Sequence, residues 1–233
     1  MNTDKPGAPY YQRSVEETLA SVQSSPEGIS GTEAATRLQQ YGENALPQKP
    51  GKPAWLRFIA HFNDVLIYVL LAAALLKAVM GHWIDMAVIL AVAVVNALIG
   101  FIQESNAEKS LQSIRNMLSS EAVAIRQGNH ETIPTTSLVP GDIVVIRAGD
   151  RIPADLRVIE AHNLRVEEAI LTGESTVVDK ITDALEGDLP LGDRVNMVFS
   201  GTTVSAGGGV GVVTATGAQT ELGHINKMMA GIE

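Results

Sequence analysis

The stretch ILTGESTVVDK, residues 170–180, holds one carboxylate, Glu174, in a polar turn with apolar residues on both sides. No His or Cys and no adjacent acid stands beside it. A carboxylate held on a turn can accept a proton from an attacking water molecule. Thr172 and Ser175 can brace such a turn through hydrogen bonds to the backbone, and Gly173 lets the backbone approach a ligand closely. Taken alone, these four residues are typical of an ordinary polar turn, so their meaning depends on the rest of the chain.

The composition limits the classes of protein to consider. The 233 residues are 45% hydrophobic but only 4% aromatic, a balance that suits membrane helices and β-sheet. The net charge of −9, with Lys and Arg scattered along the chain, argues against a nucleic-acid partner. The absence of cysteine excludes disulfides, a thiolate nucleophile and a Cys-ligated metal.

The first fifty residues predict two short helices followed by a linker. Ser14 to Glu17 and Ser30 to Glu33 each fit a capping box. The second helix would place Ala34, Leu38 and Tyr41 on one face and end at Gly42.

Two apolar stretches follow, and they predict an antiparallel helical hairpin with helices at about 55–80 and 84–103. Each comes close to the roughly 20 apolar residues that cross a bilayer. Lys and Arg flank the pair on both sides and are absent from the turn, so the positive-inside rule places both ends of the hairpin in the cytoplasm. The alternative is a hairpin buried inside a soluble protein. Asn96, within the second stretch, is expected to hydrogen-bond another helix.

From Glu121 onward the hydrophobic pattern changes to a period of two. The segments AVAIR, DIVVIR, ADLRVIE and NLRVEEAIL predict short strands separated by turns, and QTELGHINKMMAGIE predicts a final helix. Residues 140–142 and 149–155 are expected to be turns without chemistry of their own. The run Gly207–Gly209 is expected to form a β-turn and not a phosphate cradle, because neither a helix start nor a Lys follows it.

These segments resemble a known family. LVPGDIVVIRAGDRIPADLRVIEAHNLRVEEAILTGES and NMVFSGTTVSAGGGVGVVTATGAQTELGHI resemble the two halves of the actuator domain of P-type cation-transporting ATPases. GISGTEAATRLQQYGENALP resembles the N-terminal segment of those pumps, and FIQESNAEKSLQSI the cytoplasmic end of their second membrane helix. The chain is most similar to the bacterial type II pumps of the calcium and sodium/potassium branch.

The resemblance implies a role for each residue of the polar turn. In the family, a Thr-Gly-Glu-Ser loop swings against an aspartyl-phosphate on a separate domain, and its Glu activates the water that hydrolyses it. On this chain the loop is Thr172, Gly173, Glu174 and Ser175. One departure is Val177, which stands where the family usually has proline and is expected to loosen the turn without removing the chemistry.

The phosphorylation sequence Asp-Lys-Thr-Gly-Thr of the family does not occur here, and Asp179-Lys180-Ile181-Thr182 matches only its start. The resemblance therefore implies that the phosphorylation and nucleotide-binding domains, with their ATP and Mg²⁺, belong to a longer pump. The chain alone is expected to be catalytically inactive. No cofactor site or metal ligand is assigned to it. Ca²⁺ is the favoured cation, with Na⁺, K⁺, H⁺ and Mn²⁺ left open.

The predicted fold is an α+β membrane protein: an antiparallel transmembrane helical hairpin and a β-rich actuator domain with short flanking helices. The predicted divisions are 1–50, a helical segment that is part of the actuator; 51–104, the hairpin; and 105–233, a cytoplasmic helix extension and the actuator. We expect an integral protein of the bacterial inner membrane, with its N-terminus and actuator cytoplasmic. The leading hypothesis for its function is the front segment of an ATP-driven cation pump. Two alternatives stay open: a truncated actuator that regulates a full-length pump, and a soluble β-domain binding module.

Overall fold

A computed structural model describes residues 7–46, 53–60, 63–117, 121–173 and 177–230. The chain divides into two compact units. The first combines Met1–Pro47 with Ser120–Glu233, and the second is Gln48–Ser119. The first unit is therefore built from two separated stretches of sequence.

A seven-stranded antiparallel sheet forms the centre of the first unit. Its strands are β1 (Glu121–Arg126), β2 (Asn129–Pro134), β3 (Ile143–Arg147), β4 (Asp155–Glu167), β5 (Val177–Asp179), β6 (Met197–Val198) and β7 (Thr203–Ala215). The order across the sheet is β2-β1-β3-β7-β4-β5, and β6 pairs with β4. The segments AVAIR and DIVVIR form strands as predicted, since they give β1 and β3.

The prediction of two separate strands in ADLRVIE and NLRVEEAIL is wrong, because residues 155–160 and 163–167 belong to the single strand β4. The last three residues of NLRVEEAIL lie in a short helix that follows β4. Asn163 has a φ of +51°. The pairing of β4 with β7 is irregular between His162 and Arg165. A β-bulge keeps a strand continuous while it bends, so the polar residues at 162–163 do not end it.

The prediction of a β-turn at Gly207–Gly209 is also wrong, because all three glycines lie inside β7. A Cβ added at Gly207 would collide with the carbonyl oxygen of Asn163, and one at Gly209 with that of Glu160. Gly207 also has a φ of +73°, which side chains rarely adopt. The glycines therefore permit close approach between neighbouring strands.

Three helices pack around this sheet: α1 (Val15–Ser21), α2 (Gly31–Tyr41) and, near the end of the chain, α7 (Glu221–Ala230). Leu19 and Val22, from α1 and its C-cap, pack against Ile143 of β3 and Val212 of β7. The capping box at Ser14 is confirmed. At Ser30 the side chain accepts the N–H of Glu33, while the Glu33 carboxylate accepts a hydrogen bond from Arg37 Nε.

The predicted apolar face of α2 is only partly correct. Ala34 is buried, but Tyr41 is 55% exposed and Arg37 is buried in its place. The Arg37 guanidinium donates to the carbonyl oxygens of Val22 and Pro140, both at 2.7 Å. Those bonds join the N-terminal helices to the turn before β3, and a buried cation can be tolerated where backbone carbonyls satisfy it.

The second unit consists of α3 (Ala54–Ala60), α4 (Val65–Val79) and α5 (Trp83–Met117). The prediction of one helix at about 55–80 is wrong, because α4 begins anew after Asp64, whose side chain accepts the N–H of Leu66. This N-cap fixes a helix start inside the apolar stretch. The second predicted helix, 84–103, lies within α5.

The helices α4 and α5 contact each other across a short turn at Gly81, which has a φ of +78°. Lys77 and Asp85 form an ion pair of 2.9 Å beside that turn. Among the described residues, the one helical segment long and apolar enough to cross a membrane is Trp83–Ala107. Its most apolar window is only 11% buried, whereas the core helix of a soluble protein would be mostly buried. The fifteen residues of α4 fall short of a full span.

Candidate functional site

The sheet edge at β4 and β5 positions the candidate loop. β4 pairs with β5 in an antiparallel register in which Glu167 faces Val177 and Arg165 faces Asp179. The connection 168–176 therefore leaves and re-enters the sheet at neighbouring positions. Of the predicted site residues, Thr172 and Gly173 lie in the described part of this connection, whereas Glu174 and Ser175 lie outside the described residues.

A single helical turn, α6 (Ala169–Thr172), occupies the first half of the connection. The N–H of Leu171 donates to the Glu168 carbonyl, and the N–H of Gly173 donates to the Ala169 carbonyl, both at 2.9 Å. Gly173 is the C-cap in the left-handed conformation, with a φ of +76°. A residue with a side chain would be strained in this conformation. Gly173 is exposed, and no atom of the residues that the structure describes lies within 4 Å of the position of an added Cβ. Glu174 thus directly follows an exposed glycine that ends a short helix.

Two neighbouring side chains on α6 have opposite environments. Leu171 packs against a buried cluster that contains Tyr11, Met197 and Phe199. Ile170 is 54% exposed. One side of α6 is therefore anchored in the first unit while the other side faces outward.

A buried ion pair closes the base of the connection. Lys180 Nζ lies 2.6 Å from Glu168 Oε1, and the two side chains are 0% and 2% exposed. Burial raises the pKa of Glu168 and lowers the pKa of Lys180, and the charge of each partner opposes the shift of the other. From the sequence, Lys180 was recognised only as part of a partial match to a phosphorylation sequence, and no role was predicted for Glu168. The signal that could have found them is an acid and a base on opposite sides of one polar turn, each within an otherwise apolar stretch.

The chain beyond the connection is also fixed through its backbone. The N–H of Lys180 donates to the Leu164 carbonyl at 2.8 Å, and the N–H of Ile181 donates to the Val195 carbonyl at 3.1 Å. Both ends of the connection are therefore bound to the sheet region.

Asp155 is another buried ionisable residue, and it was predicted only as part of a turn. It is the first residue of β4 and only 4% exposed. Its carboxylate accepts the N–H groups of Ser200 and Glu221, each at 2.8 Å. Burial raises its pKa to about 6, while these two N–H groups act in the opposite direction. Because it joins the start of β4 to the start of α7, we assign it a structural role.

Within the described ranges, no group of three or more His, Asp or Glu residues could hold a metal ion. The described part of the site therefore consists of a hydrogen-bonded helical turn, a glycine exit and a buried ion pair. It can position a carboxylate, and it supplies no ligand set for Mg²⁺.

Two family models match this chain. The family model described as the P-type ATPase actuator domain matches residues 116–230. The model described as the N-terminus of cation transporters and ATPases matches residues 10–77. Together the two matches span most of the chain.

Several bacterial proteins are similar along nearly the whole chain. The cation-transporting ATPase pma1 of Synechocystis is 43% identical over 94% of this chain and 24% of its own length. The probable cation-transporting ATPase F of Mycobacterium tuberculosis is 45% identical over 93% of this chain and 24% of its own length. The calcium-transporting ATPase 1 of Bacillus cereus is 42% identical over 94% of this chain and 26% of its own length. The chain spans about a quarter of the length of these relatives.

Proposed function

The chain belongs to the P-type ATPases, and from that premise we propose that it is the front segment of an ATP-driven cation pump. In this proposal, residues 1–50 and 105–233 supply the actuator domain and its connecting helix, and residues 51–104 supply the first membrane helices. The actuator loop Thr172–Ser175 drives hydrolysis of an aspartyl-phosphate on the phosphorylation domain of the same pump. The complete protein would also contain a nucleotide-binding domain.

The observation that carries the proposal is the presentation of the loop at the edge of the sheet. Gly173 ends α6 without a side chain, and no atom of the described residues lies within 4 Å of the position of an added Cβ, so this position leaves room for the approach of a phosphate. Glu174 follows it and acts as the base that takes a proton from the attacking water. Val177, at the position of the usual proline, begins β5 opposite Glu167, which ties the far end of the loop to the sheet.

The cation and the cofactors belong to the complete pump. Some relatives are named calcium-transporting ATPases, including those of Bacillus cereus and Listeria monocytogenes. We therefore favour Ca²⁺ as the transported cation. ATP would phosphorylate the pump with the help of Mg²⁺, and both would bind domains outside this chain. This chain's own contribution is to position Glu174 at the phosphate.

The second unit would anchor the segment in the bacterial inner membrane. α5 contains a span of sufficient length, and most of its apolar window is exposed, as lipid contact requires. Lys49, Lys52 and Arg57 precede α4, and Lys109 and Arg115 follow the span Trp83–Ala107. Lys77 lies within α4, beside the turn. By the positive-inside rule, the N-terminus and the actuator would face the cytoplasm.

The test is the substitution Glu174→Gln in the full-length pump. The amide cannot accept the proton, so the phosphoenzyme should form from labelled ATP but decay at least about 100-fold more slowly. A chase with unlabelled ATP measures the decay directly. The matched control is Glu186→Gln, which removes an exposed carboxylate from the same unit. Decay at the normal rate in Glu174→Gln would overturn the proposed role of the loop.

A further inference from the structure

The ion pair between Glu168 and Lys180 has an unusual position for two fully buried charges. Its members are the residue that caps α6 and the residue that directly follows β5. They are joined at 2.6 Å and are 2% and 0% exposed. The pair therefore bridges the two ends of the connection that carries Thr172 to Ser175, at the point where that connection meets the sheet.

A continuous chain of contacts leads from this pair to the exit of the loop. The Glu168 side chain binds Lys180, and the Glu168 carbonyl accepts the N–H of Leu171. The carbonyl of Ala169, the next residue, accepts the N–H of Gly173. Rotation or displacement of Glu168 would therefore move the helical turn and the glycine that ends it. Glu174 is the next residue in the chain.

A purely stabilising role explains the pair poorly. Burying two charges costs several kcal/mol of solvation for each ion, and well-packed apolar residues of similar size are often as stable. What an ion pair adds is a defined geometry, because only one arrangement satisfies both charges. Such a constraint is useful where the base of a loop must stay fixed while its tip meets a phosphate.

We propose that Glu168 and Lys180 are positioning residues, which hold α6 and Gly173 so that Glu174 reaches the aspartyl-phosphate in the correct orientation. The inference rests on the proposed function of the loop. Neither residue touches the phosphate; both act through the backbone of α6. A misplacement on the order of 1 Å at a catalytic group can reduce a rate by about 100-fold.

The test combines two measurements on the double substitution Glu168→Gln/Lys180→Met, which removes both charges and leaves none buried without a partner. In the full-length pump, the phosphoenzyme should form to the normal level per folded molecule, while its decay should slow at least tenfold. In the present chain, hydrogen exchange at the amides of Leu171 and Gly173 should accelerate at least tenfold. The second measurement needs no phosphate and does not depend on the proposed function.

The matched control neutralises another buried ion pair in the same unit, between Arg126 of β1 and Asp142, with a distance of 2.8 Å. These residues lie toward the opposite edge of the sheet from β5. The substitution Arg126→Met/Asp142→Asn should accelerate exchange in β1 and β3 and leave phosphoenzyme decay unchanged. Slow decay in both double variants would show general destabilisation and would overturn the positioning role.

The outcomes separate the inference from the function on which it rests. Slow decay in Glu174→Gln together with normal decay and exchange in Glu168→Gln/Lys180→Met would overturn the inference and leave the function intact. Normal decay in Glu174→Gln would overturn the function, while the exchange measurement would still decide whether the pair holds α6. The single substitution Lys180→Met leaves the Glu168 charge buried, so failure of that variant alone to fold would support a close pairing of the two charges.

Discussion

Asp155 is a buried carboxyl group whose protonation is coupled to folding. Burial raises its pKa to about 6, whereas an Asp in an unfolded chain has a pKa of about 3.9. As the pH rises from 4 to 6, the unfolded chain loses the Asp155 proton first. Over this range the native state therefore binds more protons than the unfolded state does. The contribution of Asp155 to the free energy of unfolding is therefore greatest below pH 4 and decreases until about pH 6.

The substitution Asp155→Asn should remove this dependence. The variant should be less stable than the parent at pH 4, because an amide cannot accept both the Ser200 and the Glu221 N–H groups. The difference should shrink by on the order of 2–3 kcal/mol between pH 4 and pH 6.5. Urea unfolding followed by circular dichroism at both pH values measures it. Asp188→Asn removes an exposed carboxylate and controls for net charge; a gap that stays constant with pH would contradict the coupling.

The buried charged residues that join distant parts of the fold were the hardest to identify from sequence. Arg37, Asp155, Glu168 and Lys180 are all buried, although charged residues usually lie on the surface. The partners of Arg37 and Asp155, Pro140 and Glu221, are distant in sequence, and local patterns cannot show such pairs. Glu168 and Lys180 lie closer together, on opposite sides of one polar turn. The loop Thr172–Ser175 could be predicted as a site because its residues are consecutive and its flanking sequence is long.

At the scale of elements, the glycine run of β7 explains how β7 packs closely between β3 and β4. β7 lies between β3 and β4. Gly209 faces Ile146 of β3 and Ala161 of β4 in the register. A side chain at Gly209 would meet the carbonyl oxygen of Glu160, so the strands can approach only because it has none.

The substitution Gly209→Ala should therefore destabilise the sheet by about 2 kcal/mol, since overpacking forces the backbone of β4 or β7 to shift. Thermal unfolding by circular dichroism measures the loss. Gly31→Ala is the matched control, because Gly31 begins α2 with open space around it. That change should stabilise the chain by about 0.5–1 kcal/mol. Equal effects of the two substitutions would argue against a steric role for Gly209.

The accuracy of the sequence prediction for each element follows from the range of the interactions involved. The cap of α1, the stop of α2 at Gly42 and the cores of β1 and β3 were predicted because they depend on neighbouring residues. The continuity of β4 and the place of the glycines inside β7 depend on pairing between distant strands. The start of α4 at Asp64 was overlooked because only His61, Asn63 and Asp64 interrupt a long apolar stretch.

At the scale of the whole molecule, the apolar helices predict tight attachment to a membrane. The full chain should pellet with membranes and resist extraction at alkaline pH, because α5 exposes a long apolar surface. Appearance of the chain in the soluble fraction after the wash would instead favour a soluble β-domain module.

The matched variant replaces Val92, Leu98 and Ile99 of α5 by Arg. These side chains are exposed in the second unit. Three arginines near the centre of a span cost about 8–10 kcal/mol on insertion scales. The variant should therefore be released by the wash, which would show that α5 is the anchor.

The first unit is built from two stretches that are separated in sequence, and this arrangement governs the order in which the chain can fold during synthesis. The helices α1 and α2 emerge early, yet Arg37 must wait for Pro140, and Leu19 for Val212. All of the second unit, Gln48–Ser119, is translated in between. At about 5–20 residues per second, the N-terminal helices stay without their partners for several seconds on the ribosome. The apolar helices are therefore synthesised before the domain that surrounds them in sequence can close.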